Sequence, residues 1–428
     1  MTLTSGIDQL LKYLFAVAVT LLLITSSNLN AGENTAMKEI EGWNELVDAL
    51  RDLPGQLLAR LPPEMRNDPQ VQQEVARLAL ESLASSAIGS LGGSGDHPAF
   101  LPTIGQVLNV GQPNADTVYR LAQITPGGVY RITGKKGSLR MVAISQSVAA
   151  KDKKPSPRVY DHDLNAVPTD ASGRYEVLLS MERPAGYKGE WWQLQPATSG
   201  LLLRMVSSDW DNEVDPTISI ERLDTPVQYP RPTADELEQR LRVLPSKTAF
   251  IAGLFVDHVQ KLRQEGYVNR LKTLDVSQIG GLAGQFYYEG VYELNDDEAL
   301  VIETRVPARC LYRSIILTNQ IYETTDWYNN HSSLNDAQAL PDSDGILRVV
   351  VSARDPGIPN WLDTAGYPMG VVQGRWTGCT EKPIPGIRKV AVDSVPDLLP
   401  ADTPSVSLSQ RQEIIRARRR ALQQRPQW

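Results

Sequence analysis

The chain has 428 residues, room for two or three domains, with 41% hydrophobic and 22% charged residues, the balance of an ordinary folded protein. Its net charge of −7 provides no global attraction to nucleic acid, and no nucleic-acid partner is expected. With 4 His and 2 Cys it is poorly supplied for a structural zinc site, so neither a metal nor a cofactor is expected.

Residues 1–31 read as a targeting segment. Lys12 precedes an apolar run, Tyr13 to Ile24, and small polar residues follow. The run falls short of the ~20 residues that span a bilayer. It fits a signal peptide cleaved near Ala31, which predicts a periplasmic or secreted protein; an uncleaved membrane anchor is the alternative. Residues 38–104 read as an N-terminal helical cap. Trp43, Leu46, Val47, Leu50 and Leu53 recur at helical spacing until Pro54-Gly55 breaks the pattern. A second helix starts after Asp68-Pro69 and carries Val71, Val75, Leu78 and Leu83.

Residues 105–228 turn to strands and form a first β domain, with runs such as GVYRITG, LRMVAIS, RYEVLLS and GLLLRMVS. Residues 229–275 form a helical linker: a charged helix over Asp235 to Val243, then an amphipathic one over Ala249 to Gln264 ended by Gly266. His258 beside its apolar face reads as a boundary residue. Residues 276–382 form a second β domain with the runs ALVIET, LYRSIILT, GILRVVVS and MGVVQGRW. Short runs between turn clusters predict strands of a sandwich or barrel. Residues 383–428 read as an extended tail and a basic helix over Ser409 to Gln424, with Ser409 and Gln412 as capping box. Its arginines are expected to be solvated, with weak contact to a membrane surface as the sharper alternative.

The two β regions echo each other. Gly173 to Ser180 answers Gly345 to Ser352, Leu139 to Ser145 answers the LYRSIIL run, and Val118 to Leu121 answers Val291 to Leu294. His162 answers His331, Trp192 answers Trp361, and Gly200 to Arg204 answers Gly370 to Gly374. The series predicts a mainly β fold with helical additions: two related antiparallel β-sandwich or jelly-roll-like domains in tandem. Cys310 and Cys379 flank strands of the second region. A bridge between them is favoured over a catalytic thiol, because no histidine lies near either in sequence.

The elements RVPA, NNHSSLN, DGILRVVVS, PNWL and VVQGRW resemble the bacterial domain-of-unknown-function 1214 family, and Asn114, Asp116, Thr117 and Tyr119 in QPNADTVY match the Asn-x-Asp-Thr-x-Tyr element of its frequent partner domain 1254. The resemblance spans Asn114 to about Trp376 and implies a β-rich fold with no assigned activity. Family members of this type read Asn-Arg-Tyr-Ser-Leu where this chain reads Asn330-His331-Ser332-Ser333-Leu334, so a role carried by that arginine and tyrosine does not transfer.

No P-loop, dinucleotide fingerprint, nucleophile elbow or zinc-protease motif is present. Polar clusters at strand ends remain. Asn114, Asp116 and Tyr119 form one; an Asx or Ser/Thr turn that starts a strand explains Asn, Asp and Thr without any ligand and is the favoured account. Asp326, Trp327, Tyr328, Asn329, Asn330 and His331 form the other, with Asn360-Trp361 available to complete it and Trp191-Trp192 an equivalent in the first domain. Ring faces beside amides suit sugars, since CH groups pack on the ring while amides read hydroxyls. If 326–331 is a strand, alternation turns Trp327, Asn329 and His331 to a ligand and Tyr328 inward. Two functions follow: an exported protein binding a glycan or apolar small molecule in an aromatic-polar groove, or a cell-envelope hydrolase or lyase with His331 as general base assisted by Asp326 or Tyr328.

Overall fold

The computed structural model describes residues 39–148, 158–274, 281–282 and 284–426. The targeting segment lies outside the described residues. Among the described residues, 44–426 belong to one compact unit.

The sequence opens on helices. α1 (Trp43–Leu58) runs through Pro54-Gly55 instead of ending there. Leu53 and Leu57, one turn apart across the proline, are both buried in the helical core, and that burial outweighs the lost backbone bond. A short helix α2 (Pro63–Arg66) leads to α3 (Pro69–Leu91), which begins where expected: the Asp68 side chain accepts from the Gln70 amide at 2.8 Å and Pro69 takes the first position. Val71, Val75 and Leu78 of α3 pack with Ile321 from the second β region.

Strands β1 (Thr117–Gln123), β2 (Tyr130–Lys135), β3 (Met141–Val148), β4 (Arg158–Asp163), β5 (Arg174–Ser180), β6 (Glu190–Gln193), β7 (Thr198–Val206) and β8 (Thr217–Arg222) form two sheets, ordered β1-β7-β3-β4 and β8-β2-β5-β6. Their facing sides bury Tyr130, Ile132, Ile144, Val177, Leu179, Leu201 and Leu203. Three helices follow: α4 (Ala234–Arg242), α5 (Leu244–Gly253) and α6 (Val256–Gln264), so the amphipathic segment expected as one helix is divided at Leu254-Phe255.

The second set is β9 (Lys272–Leu274), β10 (Gln285–Glu293), β11 (Glu298–Arg305), β12 (Tyr312–Leu317), β13 (Ser333–Asn335), β14 (Ile346–Ser352), β15 (Trp361–Asp363), β16 (Met369–Thr377) and β17 (Gly386–Ala391). Its sheets run β9-β10-β16-β12-β13 and β17-β11-β14-β15. Apart from edge strand β9, this is the order of the first set, including the parallel pair that closes each second sheet, β5-β6 and β14-β15. The molecule is thus mainly β, two sandwiches of like topology with helical additions. Matching turns introduce β5 and β14: Gly173 and Gly345, both at φ 78°, donate to the carbonyls of Asp170 and Asp342. A left-handed residue is required at each, which glycine supplies without steric cost. β17 pairs with β11, so the stretch read as an unpatterned tail supplies an edge strand.

Some of the sequence pairings slip. In the first core β7 contributes Leu201 and Leu203; in the second β16 contributes Val372 and Trp376. Matching Gly200 to Gly370 would set Leu201 against Val371, which faces the other way and packs on Val259 and Leu262. An odd slip exchanges the two faces of a strand. The counterpart of Trp361 is Trp191, not Trp192: Trp191 Nε1 donates to Ser180 Oγ at 2.9 Å and Trp361 Nε1 to Ser352 Oγ at 3.0 Å. Trp192 is a core residue, as is Leu362.

Cys310 and Cys379 are joined, closing a loop with a sequence separation of 69. In the chain-entropy model a loop of that length stabilises by about 4 kcal/mol. Among the described residues no helix is long and apolar enough to cross a membrane.

The basic helix α7 (Leu408–Gln424) is capped two residues earlier than expected, by Ser407 and Gln410. Its arginines divide by position. Arg411, Arg418 and Arg425, seven apart, are buried against the body, while Arg416, Arg419 and Arg420 face outward. Arg411 pairs with Asp355 at 2.9 Å and lies over the Trp361 ring. Arg418 donates to Ser333 Oγ at 2.8 Å and lies over Trp210. Arg425 pairs with Asp215 at 2.8 Å and donates to the Asp116 carbonyl at 2.7 Å. The expectation of a fully solvated arginine helix therefore fails on one face. The α-helical period brings residues seven apart back to one side, and guanidinium forks reach carbonyl groups that an apolar side chain would leave unpaired.

Candidate functional site

The segment 326–331 is a turn, not a strand. Asp326 makes it one: its Oδ1 accepts from the Tyr328 and Asn329 amides at 3.0 and 3.2 Å, and its carbonyl accepts from the Asn330 amide. A carboxylate followed by free amides folds on itself in preference to pairing with a neighbouring strand. The expected alternation is lost. Trp327 and Tyr328 are both buried, Asn329 is exposed, and His331 is drawn inward.

Asp326, Trp327 and Asn330 line a pocket of about 360 Å³. The remaining walls come from three other places. Helix α3 supplies Arg77 and Glu81, one turn apart on one face. The segment after α3 supplies Gln106 and Asn109, and the turn between β15 and β16 supplies Tyr367. Gln106 Nε2 donates to Asp326 Oδ1 at 2.9 Å, and Asn109 Nδ2 donates to the Thr324 carbonyl at 2.6 Å, so the two loops are clasped across the pocket.

Behind this wall lies Glu323, 2% exposed, accepting from Arg77 Nη2 at 2.6 Å and from Asn319 Nδ2 at 2.7 Å. Arg77 Nε is 3.6 Å from Glu81 Oε1, so one guanidinium holds two carboxylates. It does not neutralise both. Burial, and then the charge of Glu323, push the Glu81 carboxyl up to about 7. Glu81 is thereby brought into the range where a carboxyl exchanges its proton near neutral pH, with the Asn109 amide donating to its Oε2 at 3.1 Å. Burial also raises Glu323 and Tyr367. Sequence reasoning missed Arg77, Glu81, Asn109, Glu323 and Tyr367. The Arg77/Glu81 spacing was visible, but it is the spacing of any solvated helical pair.

The other expected site residues are elsewhere. His331 is buried with Nδ1 on the Trp361 carbonyl and Arg411 3.4 Å from Nε2; burial, then the charges of Arg418 and Arg411, hold its pKa well below the ordinary value. It is neutral, enclosed and lines neither this pocket nor the apolar chamber beside it. That placement removes it as a general base. Trp361 lies under Arg411, stacked on the His331 ring, and Asn360 donates to the Leu340 and Arg348 carbonyls; both are structural. Asn114 and Asp116 are buried between the sandwiches. Asp116 accepts from Trp210 Nε1 at 2.8 Å, from Asn335 Nδ2 at 2.7 Å and from the Tyr312 hydroxyl, while Asn114 Nδ2 reaches the same hydroxyl at 2.8 Å. The QPNADTVY element thus meets the end of the NHSSLN element in a closed junction that joins the domains. Tyr119 faces the apolar chamber next to the pocket. Nor is His258 solitary: it contacts Glu289 at 2.8 Å, and Glu289 accepts from Tyr322, which accepts from Gln373. Among the described residues no group of three His, Cys, Asp or Glu side chains is placed to hold a metal.

Fold and pocket together define a double β-sandwich protein with a carboxylate-bearing, aromatic-walled cavity where its helices meet the second sandwich. The chain matches no protein-family model and no curated protein. In structure it is similar to an uncharacterised protein from Burkholderia cenocepacia, at 26% identity and a TM-score of 0.77, over 83% of this chain and 98% of that one. A protein from Vibrio parahaemolyticus is similar at 13% identity and a TM-score of 0.42, over 74% of this chain and 98% of that one.

Proposed function

We propose that the protein is exported and binds a small hydroxyl-bearing molecule, a glycan fragment, in the pocket walled by Trp327 and Tyr367. The observation that carries this reading is the company these rings keep. Asn330 offers an amide group, Glu81 and Asp326 offer carboxylates, and Asn109 and Asn319, bonded to Thr324 and Glu323, brace the wall of the same cavity of about 360 Å³. Carboxylates accept from sugar hydroxyls, and the one cation of the described lining, Arg77, is already engaged by Glu323 and Glu81, so the reading is of a neutral or amino sugar rather than a uronate or phosphate. The disulfide is compatible with an oxidising compartment. The resemblance to the domain-of-unknown-function 1214 family and its partner domain belongs to the same proposal, as does an origin of the two sandwiches by duplication.

The test is saturation-transfer NMR of the purified protein against neutral hexoses and N-acetylhexosamines. Binding is expected to weaken about tenfold in Asn330→Ala, the loss of one to two hydrogen bonds, with a fold that remains cooperative although the Asn330 Nδ2 bond to the Asp326 carbonyl at 3.0 Å is lost. Absence of binding across the panel would reject the reading. A hydrolase or lyase is the second reading, and one observation favours it: a carboxyl poised near pH 7 is suited to give and take protons. Its acid is Glu81 and not His331. Glu81→Gln would then abolish turnover while leaving binding in place.

A further inference from the structure

Beside the polar pocket lies a second chamber of about 210 Å³ with a different character. Ile104, Leu108, Val118, Tyr119, Tyr328 and Leu422 line it. The two cavities have Gln106, Val107 and Trp327 in common, so the Trp327 side chain and the Gln106-Val107 segment form the partition between them. Val107, 73% exposed, is an apolar side chain at that shared rim.

From this juxtaposition we propose that the ligand is an amphiphile: a glycoside whose sugar occupies the polar pocket and whose aglycone, a single aromatic ring or a short alkyl chain, enters the apolar chamber. The inference rests on the sugar-binding reading and adds the aglycone to it. Volume sets the size of that group, since an apolar cavity of about 150 Å³ accommodates benzene and 210 Å³ leaves little beyond one ring. Chemistry sets its polarity: aliphatic and aromatic side chains make up most of this lining, and its two cations are occupied, Arg120 by the Pro426 carbonyl and Arg425 by Asp215 and the Asp116 carbonyl, whereas amides and charges dominate the other. Position sets the linkage, because a ligand in contact with Trp327 at the partition reaches both chambers across one side chain.

The experiment compares phenyl and methyl β-glycosides of glucose, galactose and N-acetylglucosamine by titration calorimetry on the full chain and on Gln423→Trp. Gln423 lines the apolar chamber from the exposed side of α7, so the substitution narrows the chamber without touching the polar pocket. The phenyl glycoside of the bound sugar should bind at least tenfold tighter than the methyl glycoside, and Gln423→Trp should erase that ratio while leaving the methyl glycoside unaffected. Intermolecular NOEs from the phenyl protons to the Leu422 methyls give an independent reading in the unaltered protein. Equal affinity for the two series, or a ratio that survives Gln423→Trp without NOEs to Leu422, overturns the aglycone inference and leaves sugar binding standing. Failure of both series to bind removes the sugar-binding reading and the inference with it.

Discussion

Burial acts in opposite directions on Glu81 and His331. For Glu81 it favours the protonated acid, about 7 against about 4.3 in an unfolded chain. Between those values the folded state binds the extra proton, so stability contributed by this group falls as pH rises through the window. Glu81→Gln keeps the shape and removes the titration. Measured by urea denaturation, the wild type should lose stability relative to the variant from pH 4.5 to 8; a difference that stays flat rejects the assignment. For His331 burial favours the neutral ring. The unfolded state takes its proton near pH 6.5 and the folded state does not, so this contribution is complete above 6.5 and declines on acidification. The ring protons of His331 should show no NMR titration between pH 8 and 5. Because the ring is enclosed and bonded to the Trp361 carbonyl, His331→Ala should cost about 2 kcal/mol or more in stability, close to the ~3 kcal/mol expected for Tyr328→Ala. The sequence made the cluster 326–331 visible because amides, rings and a carboxylate stood in six consecutive positions. It hid which of them face a ligand, since Asp326 closes a turn by accepting from the Tyr328 and Asn329 amides, and it hid Glu81 and Asn109, which come to the pocket from more than 200 positions away.

At the scale of elements, strands and caps were legible where local chemistry decides them. Asp68-Pro69 starts α3 and the glycines at 173 and 345 introduce equivalent strands, as the residue types require. Errors arose where tertiary packing overrides a local signal. Pro54 stays inside α1 because leucines on both sides of it are buried, and β17 forms because β11 offers an open edge to an otherwise unpatterned stretch. Helix α7 is the clearest case. Composition alone gives a basic surface helix, but the spacing of 411, 418 and 425 sets three arginines on one buried face. Arg418 has burial as the first cause of a pKa lowered to about 10, and it still makes hydrogen bonds to Ser333 and Gln338. Charge-assisted bonds of this kind contribute about 1.5–3 kcal/mol. Arg418→Ala should therefore lower stability by about 2 kcal/mol, whereas Arg416→Ala, at an exposed pair with Glu413, should stay within about 0.5 kcal/mol. Equal effects in urea titrations would show that position along the helix does not matter.

The whole molecule raises the question of what makes two sandwiches behave as one body. Their own meeting surface includes Asp116 with Tyr312 and Asn335, a buried carboxyl held by donors from both halves. Burial raises its pKa against the pull of those donors, so the cost of desolvating the carboxyl offsets part of what its hydrogen bonds contribute. Helix α7 adds a second tie. Arg425 fastens its end to Asp215 and Met205 in the first sandwich, while Arg411 and Arg418 fasten its body to Asp355 and Ser333 in the second. Ala421 and Leu422 also cover Trp210, Trp327 and Tyr328. Deleting residues 405–428 removes those contacts and leaves each sandwich core intact. The truncated protein is expected to unfold in two calorimetric steps, one per sandwich, where the full chain unfolds in one, with the first step below the melting temperature of the full chain. It should also bind a hydrophobic dye, because the tryptophans beneath the helix lose their cover. A single transition at an unchanged temperature would mean that the Asp116 junction suffices and that α7 is a passenger.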